Sequence, residues 1–365
     1  MGGRDCCKGR AAATWGRVAV LVPPPNHVYP AVTLPPESIV NSPSPPPPTL
    51  DDVRAARETI APYLPPTPLV RSWKLSERLG CDYYVKCENL QPVGAFKVRG
   101  GVNLVARLSE QEREAGLVAS STGNHGQSLA FAGRLFGVRV LIYVPARDPN
   151  PAKIAAMEAL GAEVRRVGRD FDEAREACEE EAAREGYRYV HSANEPLHVA
   201  GVGTVALEVL DALPDADVLL VPVGGGSGAA GDLVVTRALR PETEVIGVQS
   251  EEAPAAYEAW KAGHLEPHSR MESRHEGLAT RVPFALPMEV MQEGLADFVL
   301  VPDDEIDGAV RLLAEEANLV AEGAGAAPLA AALRIRDRLR GRKVVGVLSG
   351  GNLPADRLAQ VLVGR

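Results

Sequence analysis

Short apolar runs alternate with amphipathic segments along the chain from about residue 50 onward. The runs VRVLIYVP (138–145) and DVLLVPV (217–223) are each followed by a segment with apolar residues at helical spacing. Continuous apolar runs of this length are typical of strands that are buried on both faces of a sheet. The alternation therefore predicts an α/β fold with mainly parallel strands.

The first 50 residues have a different composition, because they hold 11 of the 30 prolines and end in the run NSPSPPPP. Proline has no amide hydrogen to donate and cannot continue a helix or a strand ladder. We interpret residues 1–50 as a disordered or extended arm. The folded part begins at TLDDVRAARETI, where Thr49 is placed to cap a helix.

Composition limits the class of protein. The chain has 365 residues, of which 45% are apolar, and a net charge of −9, so it can form two domains but is poorly suited to nucleic acid or an anionic membrane surface. No run approaches the roughly 20 apolar residues of a membrane span. The five cysteines are odd in number and lack a CxxC pair, which favours the reducing cytoplasm.

The loop SSTGNHG (120–126) follows one predicted strand and precedes a helix. Its small residues leave amide groups accessible at a helix start, where a carboxylate can bind. The side chain of Asn124 can both donate and accept a hydrogen bond, which suits a phenolic oxygen. An ordinary capped turn would have the same pattern.

A second loop, VPVGGGSGAAG (221–231), is richer in glycine. Its amide groups, a serine hydroxyl and the helix dipole form a predicted phosphate site at 224–228. The same loop contains a GxGxxG pattern that starts at Gly226, and Glu251 follows about 20 residues later, as in dinucleotide-binding proteins. A nicotinamide dehydrogenase is therefore an alternative.

Two further motifs contain reactive or polar groups. In VLSGGN (347–352), Ser349 ends a predicted strand, and its neutral hydroxyl is suited to a ring nitrogen. In GAFKVRG (94–100), Lys97 lies behind Phe96 at a predicted helix start, where shielding from water lowers the pKa of an amine. An amine, a phosphate site, a hydroxyl and an asparagine are the groups that pyridoxal phosphate requires.

Together the motifs resemble a known family, the fold-type II pyridoxal-phosphate enzymes, in the threonine/serine dehydratase and serine racemase branch. The motifs are, in chain order, KCENLQPVGAFKVRG, SSTGNHGQSLAFAG, VPVGGGSGAAG and VLSGGN. The resemblance covers roughly residues 50–365 and implies a tryptophan synthase β-like α/β fold with two open parallel sheets. It also implies a large cofactor-binding domain at 51–116 and 195–365, and a small α/β domain at 117–194.

The resemblance assigns roles to individual residues. Lys97 would condense with the cofactor aldehyde, Phe96 and Gly277 would lie on opposite faces of the ring, and Ser349 would face the ring nitrogen. The cofactor-binding residues implied in this way are Phe96, Lys97, Asn124, Gly224, Gly225, Gly226, Ser227, Gly228, Gly277, Glu322 and Ser349. The residues implied for the substrate carboxylate are Ser121, Thr122, Gly123 and His125.

The resemblance implies α,β-elimination from a 3-hydroxy amino acid such as threonine or serine, giving a 2-oxo acid and ammonia, with Lys97 as the base at Cα. Racemases of this branch carry a serine where Thr122 stands, so Thr122 is a second candidate catalytic residue, and a racemase or dual enzyme is the alternative. Gln249 and Ala255 occupy positions where a racemase-type metal site has carboxylates, so we expect no such metal. A cytoplasmic homodimer is the expected assembly.

Several remaining polar and sulfur residues are expected to be structural. Cys81 and Cys87 flank a predicted strand and are interpreted as packed apolar residues. Arg99 either holds the helix of Lys97 in place or is an ordinary surface charge, which is the default expectation. Five scattered histidines show no metal-ligand spacing, and each is expected to be a surface or structural residue: His191, His198, His264, His268 and His275.

Overall fold

The computed structural model describes residues 45–147, 151–268 and 270–364. These residues belong to one compact unit, Pro43–Arg365. The disordered or extended arm is predicted for residues 1–50, and residues 1–44 of that range lie outside the described residues. The predicted helix after the arm is confirmed, because Thr49 and Asp52 form a reciprocal capping box at its start.

The described residues form fifteen α-helices, two short 3₁₀ helices (Glu88–Leu90 and Glu276–Leu278) and ten strands. The helices are α1 (Leu50–Ile60), α2 (Trp73–Leu79), α3 (Lys97–Ala106), α4 (Glu110–Ala115), α5 (Asn124–Phe136), α6 (Pro151–Ala159), α7 (Phe171–Glu185), α8 (Pro196–Ala212), α9 (Ser227–Leu239), α10 (Ala255–Ala262), α11 (Ala285–Gly294), α12 (Asp303–Ala317), α13 (Gly323–Arg334), α14 (Arg336–Leu339) and α15 (Ala355–Val363). The strands are β1 (Leu69–Arg71), β2 (Asp82–Cys87), β3 (Leu117–Ser120), β4 (Val140–Val144), β5 (Glu163–Arg166), β6 (Arg188–Tyr189), β7 (Val218–Pro222), β8 (Glu244–Ser250), β9 (Asp297–Val301) and β10 (Lys343–Leu348).

The larger sheet of the described residues has six strands in the order β1-β2-β10-β7-β8-β9. Only β1 is antiparallel to its neighbour, and every other pair in this sheet is parallel. Val344 and Leu348 of β10 pack into one core, whereas Val345 and Val347 pack into the core on the opposite face. Burial on both faces is the physical reason why these strands have continuous apolar sequences.

The smaller sheet has the order β5-β4-β3-β6 and is parallel throughout. All of its strands lie between residues 117 and 189, inside the predicted small domain, although the domain boundaries themselves stay a prediction. The two open parallel sheets confirm the predicted fold class. Since the carboxyl ends of parallel strands meet at one edge of a sheet, the loops after β7 and β10 lie side by side.

Glycines bring α3 close to its two neighbours. A Cβ on Gly100 would lie 2.3 Å from Nδ1 of His198 on α8, and a Cβ on Gly101 would lie 2.2 Å from Oγ of Ser128 on α5. Real Cβ atoms do not approach other atoms this closely, so both contacts require glycine. This packing fixes the helix that begins at Lys97. None of the helices in the described residues has the length and apolar character that a membrane crossing requires.

Candidate active site

Lys97 is the first residue of α3, and its side chain points to two oxygen atoms. Its Nζ donates to Oγ of Ser227 at 2.7 Å and to the carbonyl oxygen of Ser192 at 2.8 Å. Burial lowers the pKa of the Lys97 amine to about 7. A large fraction of the amine is therefore neutral at neutral pH, which is the form that reacts with an aldehyde or removes a proton.

The carbonyl of Ser192 is presented by a turn that His191 organises. Nδ1 of His191 accepts hydrogen bonds from the amides of Ala193 at 3.0 Å and Asn194 at 2.9 Å. Burial lowers the pKa of His191 to about 4, so the ring is neutral and able to accept. The expectation of a structural histidine is correct for His191, but the turn that it shapes borders the site directly.

The loop at 224–228 joins β7 to α9 and is built for close approach. A Cβ on Gly224 would lie 2.3 Å from the carbonyl oxygen of Gly277, and Gly226 has a φ of +87°. Within the described chain no side chain caps α9, so its first amide groups point to the loop without an acceptor inside the helix. Such a helix start is suited to an anion, and the carbonyl of Gly277 lies against the loop that precedes it. The predicted position of Gly277 on one face of the cofactor ring stays a prediction.

The motif that contains Ser349 is hydrogen-bonded to the motif that contains Lys97. The amide of Phe96 donates to the carbonyl oxygen of Ser349 at 2.9 Å, and the amide of Gly351 donates to the carbonyl oxygen of Gly94 at 2.9 Å. Ser349 itself is buried at the end of β10. These bonds hold the backbone of Ser349 next to that of Phe96, and both residues line one small cavity.

Asn124 lies at the start of α5 and connects two other loops. Its Nδ2 donates to Oε1 of Glu322 at 2.7 Å, and its Oδ1 accepts from Nδ2 of Asn352 at 2.8 Å. Burial raises the pKa of the Glu322 carboxyl. The structure thus brings Asn124 and Glu322 together, as the resemblance implies. Asn352 was not assigned a role from the sequence, although it stands in the SGGN motif.

The loop predicted to bind a carboxylate has its shape set by Ser121. Oγ of Ser121 accepts from the amides of Gly123 at 3.2 Å and Gly126 at 2.9 Å. The side chain of Thr122 is partly buried. These bonds use the acceptor sites of the Ser121 hydroxyl, which keeps its own hydrogen for a carboxylate. The predicted contact of Ser121 with the substrate stays a prediction.

The ring of His125 lies behind this loop. Its Nε2 is 3.3 Å from the carbonyl oxygen of Val190, and its ring stands edge to face against His198 with 5.2 Å between centroids. Burial, reinforced by the charge of Lys97, lowers the pKa of His125 to about 3. The ring of His125 is therefore neutral and packed in the interior, and its predicted contribution to carboxylate binding stays a prediction.

Lys153 of α6 also reaches this loop, and no pattern in the sequence singles it out. Its Nζ forms an ion pair with Glu276, next to Gly277, and lies 3.7 Å from the position of a Cβ on Gly123. The charge of Lys153 also opposes the rise in the pKa of Glu322. A cation therefore stands beside the predicted carboxylate site.

The default expectation that Arg99 is a surface charge is wrong. Its side chain is 0% exposed, and its guanidinium donates to Glu88 at 2.7 Å and 2.8 Å and to Glu208 at 2.6 Å and 2.8 Å. Lys86 is buried in the same cluster and donates to Glu208 at 2.5 Å. The alternative expectation, that Arg99 holds the helix of Lys97, agrees with these contacts.

Comparison with known proteins shows the family to which the chain belongs. The family described as "Pyridoxal-phosphate dependent enzyme" matches residues 60–350. The chain belongs to this family. The predicted family, the enzyme class and the cofactor are thereby confirmed.

The enzyme is similar to proteins of known activity over most of its length. It is 40% identical to an L-threonine ammonia-lyase of Thermotoga maritima over 314 residues, which are 86% of this chain and 78% of the relative. The structure of threonine deaminase isoform 2 from Solanum lycopersicum matches with a TM-score of 0.81 at 30% identity, and covers 92% of this chain and 99% of that one. A maize serine racemase matches with a TM-score of 0.81 at 26% identity, and covers 87% and 99% of the two chains.

The residues of the enzyme fit pyridoxal phosphate. The uncapped start of α9 offers free amide groups to an anion, and the loop before it leaves no room for a Cβ on Gly224 beside Gly277. The partly neutral amine of Lys97 donates a hydrogen bond to the hydroxyl of Ser227, which belongs to this loop. The role of each individual residue toward the cofactor stays a prediction.

Gln249 occupies a position where a racemase-type metal site has a carboxylate, and its side chain is hydrogen-bonded within the protein. Oε1 of Gln249 accepts from the amide of Tyr257 at 3.0 Å, and Nε2 donates to the carbonyl oxygen of Leu278 at 3.4 Å. In the described parts of the enzyme, no three His, Cys, Asp or Glu side chains are grouped so as to hold a metal ion. The expectation that this metal is absent stays a prediction.

Proposed function

We propose that the protein is an ammonia-lyase that converts a 3-hydroxy amino acid, threonine or serine, into a 2-oxo acid and ammonia. The observation that carries the proposal is the partly neutral amine of Lys97, held by Ser227 against the anion site at the start of α9. The threonine ammonia-lyase and threonine deaminase activities named for its relatives give the substrate class.

Bound pyridoxal phosphate supplies an electron sink for the electron pair that is left when the Cα proton departs. The neutral amine of Lys97 takes that proton, a role that typically contributes about 10²–10⁴-fold to the rate. Ser192 and Ser227 hold the amine in position. The hydroxyl of Ser349 is neutral, so it offers the ring nitrogen a hydrogen bond without a formal charge.

The net reaction consumes no water, because the elimination step releases one water molecule and the later hydrolysis consumes one. The substrate loses the Cα proton and the Cβ hydroxyl as water. Hydrolysis of the resulting unsaturated amine consumes one water and releases ammonia and the 2-oxo acid. The loop at 120–126 and the cation of Lys153 bind the substrate carboxylate, which orients Cα toward Lys97.

The similarity to serine racemase supports a second candidate, in which Thr122 protonates the face of Cα opposite Lys97. The test is the variant Thr122→Ala, assayed for release of 2-oxo acid and for conversion of L-serine to D-serine. Loss of racemisation with retention of elimination would support the dual activity. An enzyme that produces no D-serine before or after the substitution is an ammonia-lyase only.

The test of the main proposal is chemical. The purified protein should show visible absorption of bound pyridoxal phosphate, and reduction with borohydride should attach the cofactor to Lys97. The variant Lys97→Ala should lose the attachment and at least about 10²-fold of the activity on threonine and serine. Lys74→Ala, which removes an exposed lysine, is the matched control and should behave as wild type. Full activity of Lys97→Ala would refute the proposal.

We further infer a homodimer in the cytoplasm, with the large and small domains at the predicted boundaries. The similarity to metabolic enzymes supports this inference. Sedimentation of the purified protein measures the assembly, and limited proteolysis at the boundaries near 116 and 195 tests the domain division. A monomer at micromolar concentration would contradict the dimer.

A further inference from the structure

Asp232 is a buried acid for which the mechanism has no use. It lies on α9, one turn after the anion site, and is 2% exposed. Its Oδ1 has no hydrogen-bond partner among the described residues. Buried polar atoms are nearly always hydrogen-bonded, so an orphaned carboxyl oxygen indicates a bound group that remains to be identified.

The charges around Asp232 do not neutralise it. Arg99 and Lys86 attract its carboxylate from a distance, but both are already paired with Glu88 and Glu208 in the buried cluster. Burial, with a further contribution from the charge of Glu88, raises the pKa of Asp232 well above its ordinary value. Burial without a directly paired cation therefore favours the protonated, uncharged form of the Asp232 carboxyl group.

Asp232 lines a small cavity together with Ser349. Phe96 and Gly228 form part of its wall, and most of the remaining wall is made of valine side chains. The cavity has a volume of about 10 Å³. This is about the smallest volume that holds one water molecule, which also needs at least two polar partners. The carboxyl group of Asp232 and the hydroxyl of Ser349 are two such partners.

We propose that Asp232 is a protonated acid which, together with Ser349, binds one buried water in this cavity and thereby orients the hydroxyl of Ser349. The acid donates its hydrogen to the water, which leaves the two hydrogens of the water for acceptors such as Oγ of Ser349. The hydroxyl of Ser349 then keeps its own hydrogen for the cofactor ring nitrogen. Asp232 is thus a positioning residue. This last step rests on the proposed function, in which Ser349 faces the ring.

The water is tested first, in crystals of the wild-type protein and of the variant Asp232→Leu, each as purified with the cofactor that it carries. The wild-type density should show one water within hydrogen-bond distance of Asp232 and Ser349, and the apolar variant should lack it. An empty cavity in the wild type would overturn the proposal. This result does not depend on whether the enzyme acts on threonine.

The protonation is tested by the stability of Asp232→Asn relative to wild type from about pH 5 to about pH 8. An acid whose pKa is raised by folding stabilises fully below its unfolded pKa of about 3.9, and this stabilisation is lost as the pH rises toward the folded pKa. The asparagine variant has no such loss, so its melting temperature relative to wild type should rise with pH. A difference that stays constant or falls with pH contradicts a protonated acid.

The link to the cofactor is tested in the holoenzyme by the pH titration of its visible absorption. Asp232→Leu should shift the titration in the same direction as Ser349→Ala, and Asp232→Asn, which keeps both hydrogen-bonding functions, should leave it close to wild type. A wild-type titration in Asp232→Leu would overturn the positioning role. If the wild type took up no cofactor, the proposed function would fail and the link to the ring with it, whereas the water and the protonated acid would still be observed.

Discussion

The amine of Lys97 donates a 2.7 Å hydrogen bond to the hydroxyl of Ser227, a residue 130 positions away in the sequence. This bond joins the group expected to react with the cofactor aldehyde to the loop expected to hold the cofactor phosphate. The packing that holds the amine at Ser227 also buries it. The position of the amine and its lowered pKa therefore have the same structural cause.

The lowered pKa of Lys97 predicts how the protein without cofactor takes up pyridoxal phosphate. Only the neutral amine attacks the aldehyde, so the association rate should rise with pH and reach half of its maximum near the pKa of about 7. An ordinary lysine would place this midpoint near about 10.4. Stopped-flow absorption over the pH range measures the midpoint, and a midpoint above about 9 would contradict the burial of the amine.

The same pKa has a consequence for stability. The folded protein releases the Lys97 proton near pH 7, while the unfolded chain keeps it up to about pH 10.4. Since the unfolded state binds more protons in this window, the contribution of Lys97 to stability rises with pH. The variant Lys97→Met should lack this rise when unfolding by urea is measured across the window in the absence of cofactor. Equal slopes for the two proteins would show that Lys97 titrates as an ordinary lysine.

Gly224→Ala should weaken cofactor binding. Its Cβ would lie 2.3 Å from the carbonyl oxygen of Gly277, so the loop must shift and at least one hydrogen bond to the phosphate is lost. A hydrogen bond to a charged group contributes about 1.5–3 kcal/mol, which corresponds to roughly ten- to hundredfold in the dissociation constant. Fluorescence titration of the protein without cofactor measures this constant.

Gly308→Ala is the matched control for that experiment. Gly308 lies on α12, and a Cβ there meets nothing within 4 Å. Its affinity for pyridoxal phosphate should equal that of wild type, with a gain in stability of about 0.5–1 kcal/mol. An equal loss of affinity in both variants would mean that the close contact with Gly277 is not the cause.

Arg99→Met should strongly destabilise the fold. The substitution removes the guanidinium that pairs with Glu88, which is 0% exposed, and with Glu208, and leaves Lys86 as the remaining buried cation of the cluster. Breaking a buried pair of this kind typically costs about 3–5 kcal/mol. The exposed ion pair of Arg54 with Asp51 provides the control, because Arg54→Met should cost about 0–1 kcal/mol. Urea unfolding measures both changes. Recovery of part of the loss in Arg99→Met with Glu88→Gln would identify the unpaired carboxylate as its cause.

Asn352→Ala should loosen the contact between two site loops. Nδ2 of Asn352 donates to the carbonyl oxygen of Val93 and to Oδ1 of Asn124, both at 2.8 Å. Loss of these donors should cost about 1–3 kcal/mol in unfolding free energy. A double-mutant cycle with Asn124→Ala should give a coupling of about 0.5–3 kcal/mol. Additive effects would mean that the two amides do not support each other.

The elements that follow local rules were predictable. The strands that end at Leu348 and Pro222 have apolar residues on both faces, and burial on both faces is readable from their continuous apolar sequences. The loop before Ser227 was readable as an anion site because glycines at a helix start have the same consequence in any fold. Arg99 was not predictable, because its partners Glu88 and Glu208 lie 11 and 109 residues away.

The sequence by itself determined the order of strands and helices, the glycine-rich loops and the lysine that follows Phe96, since periodicity and backbone freedom act over a few neighbouring residues. Only the tertiary structure decided how far the pKa of Lys97 is lowered, that Arg99 is buried and that Asp232 shares a cavity with Ser349. Burial and Coulomb interactions depend on every group within a few ångströms in space. Those groups come from distant parts of the chain, so no local pattern records them.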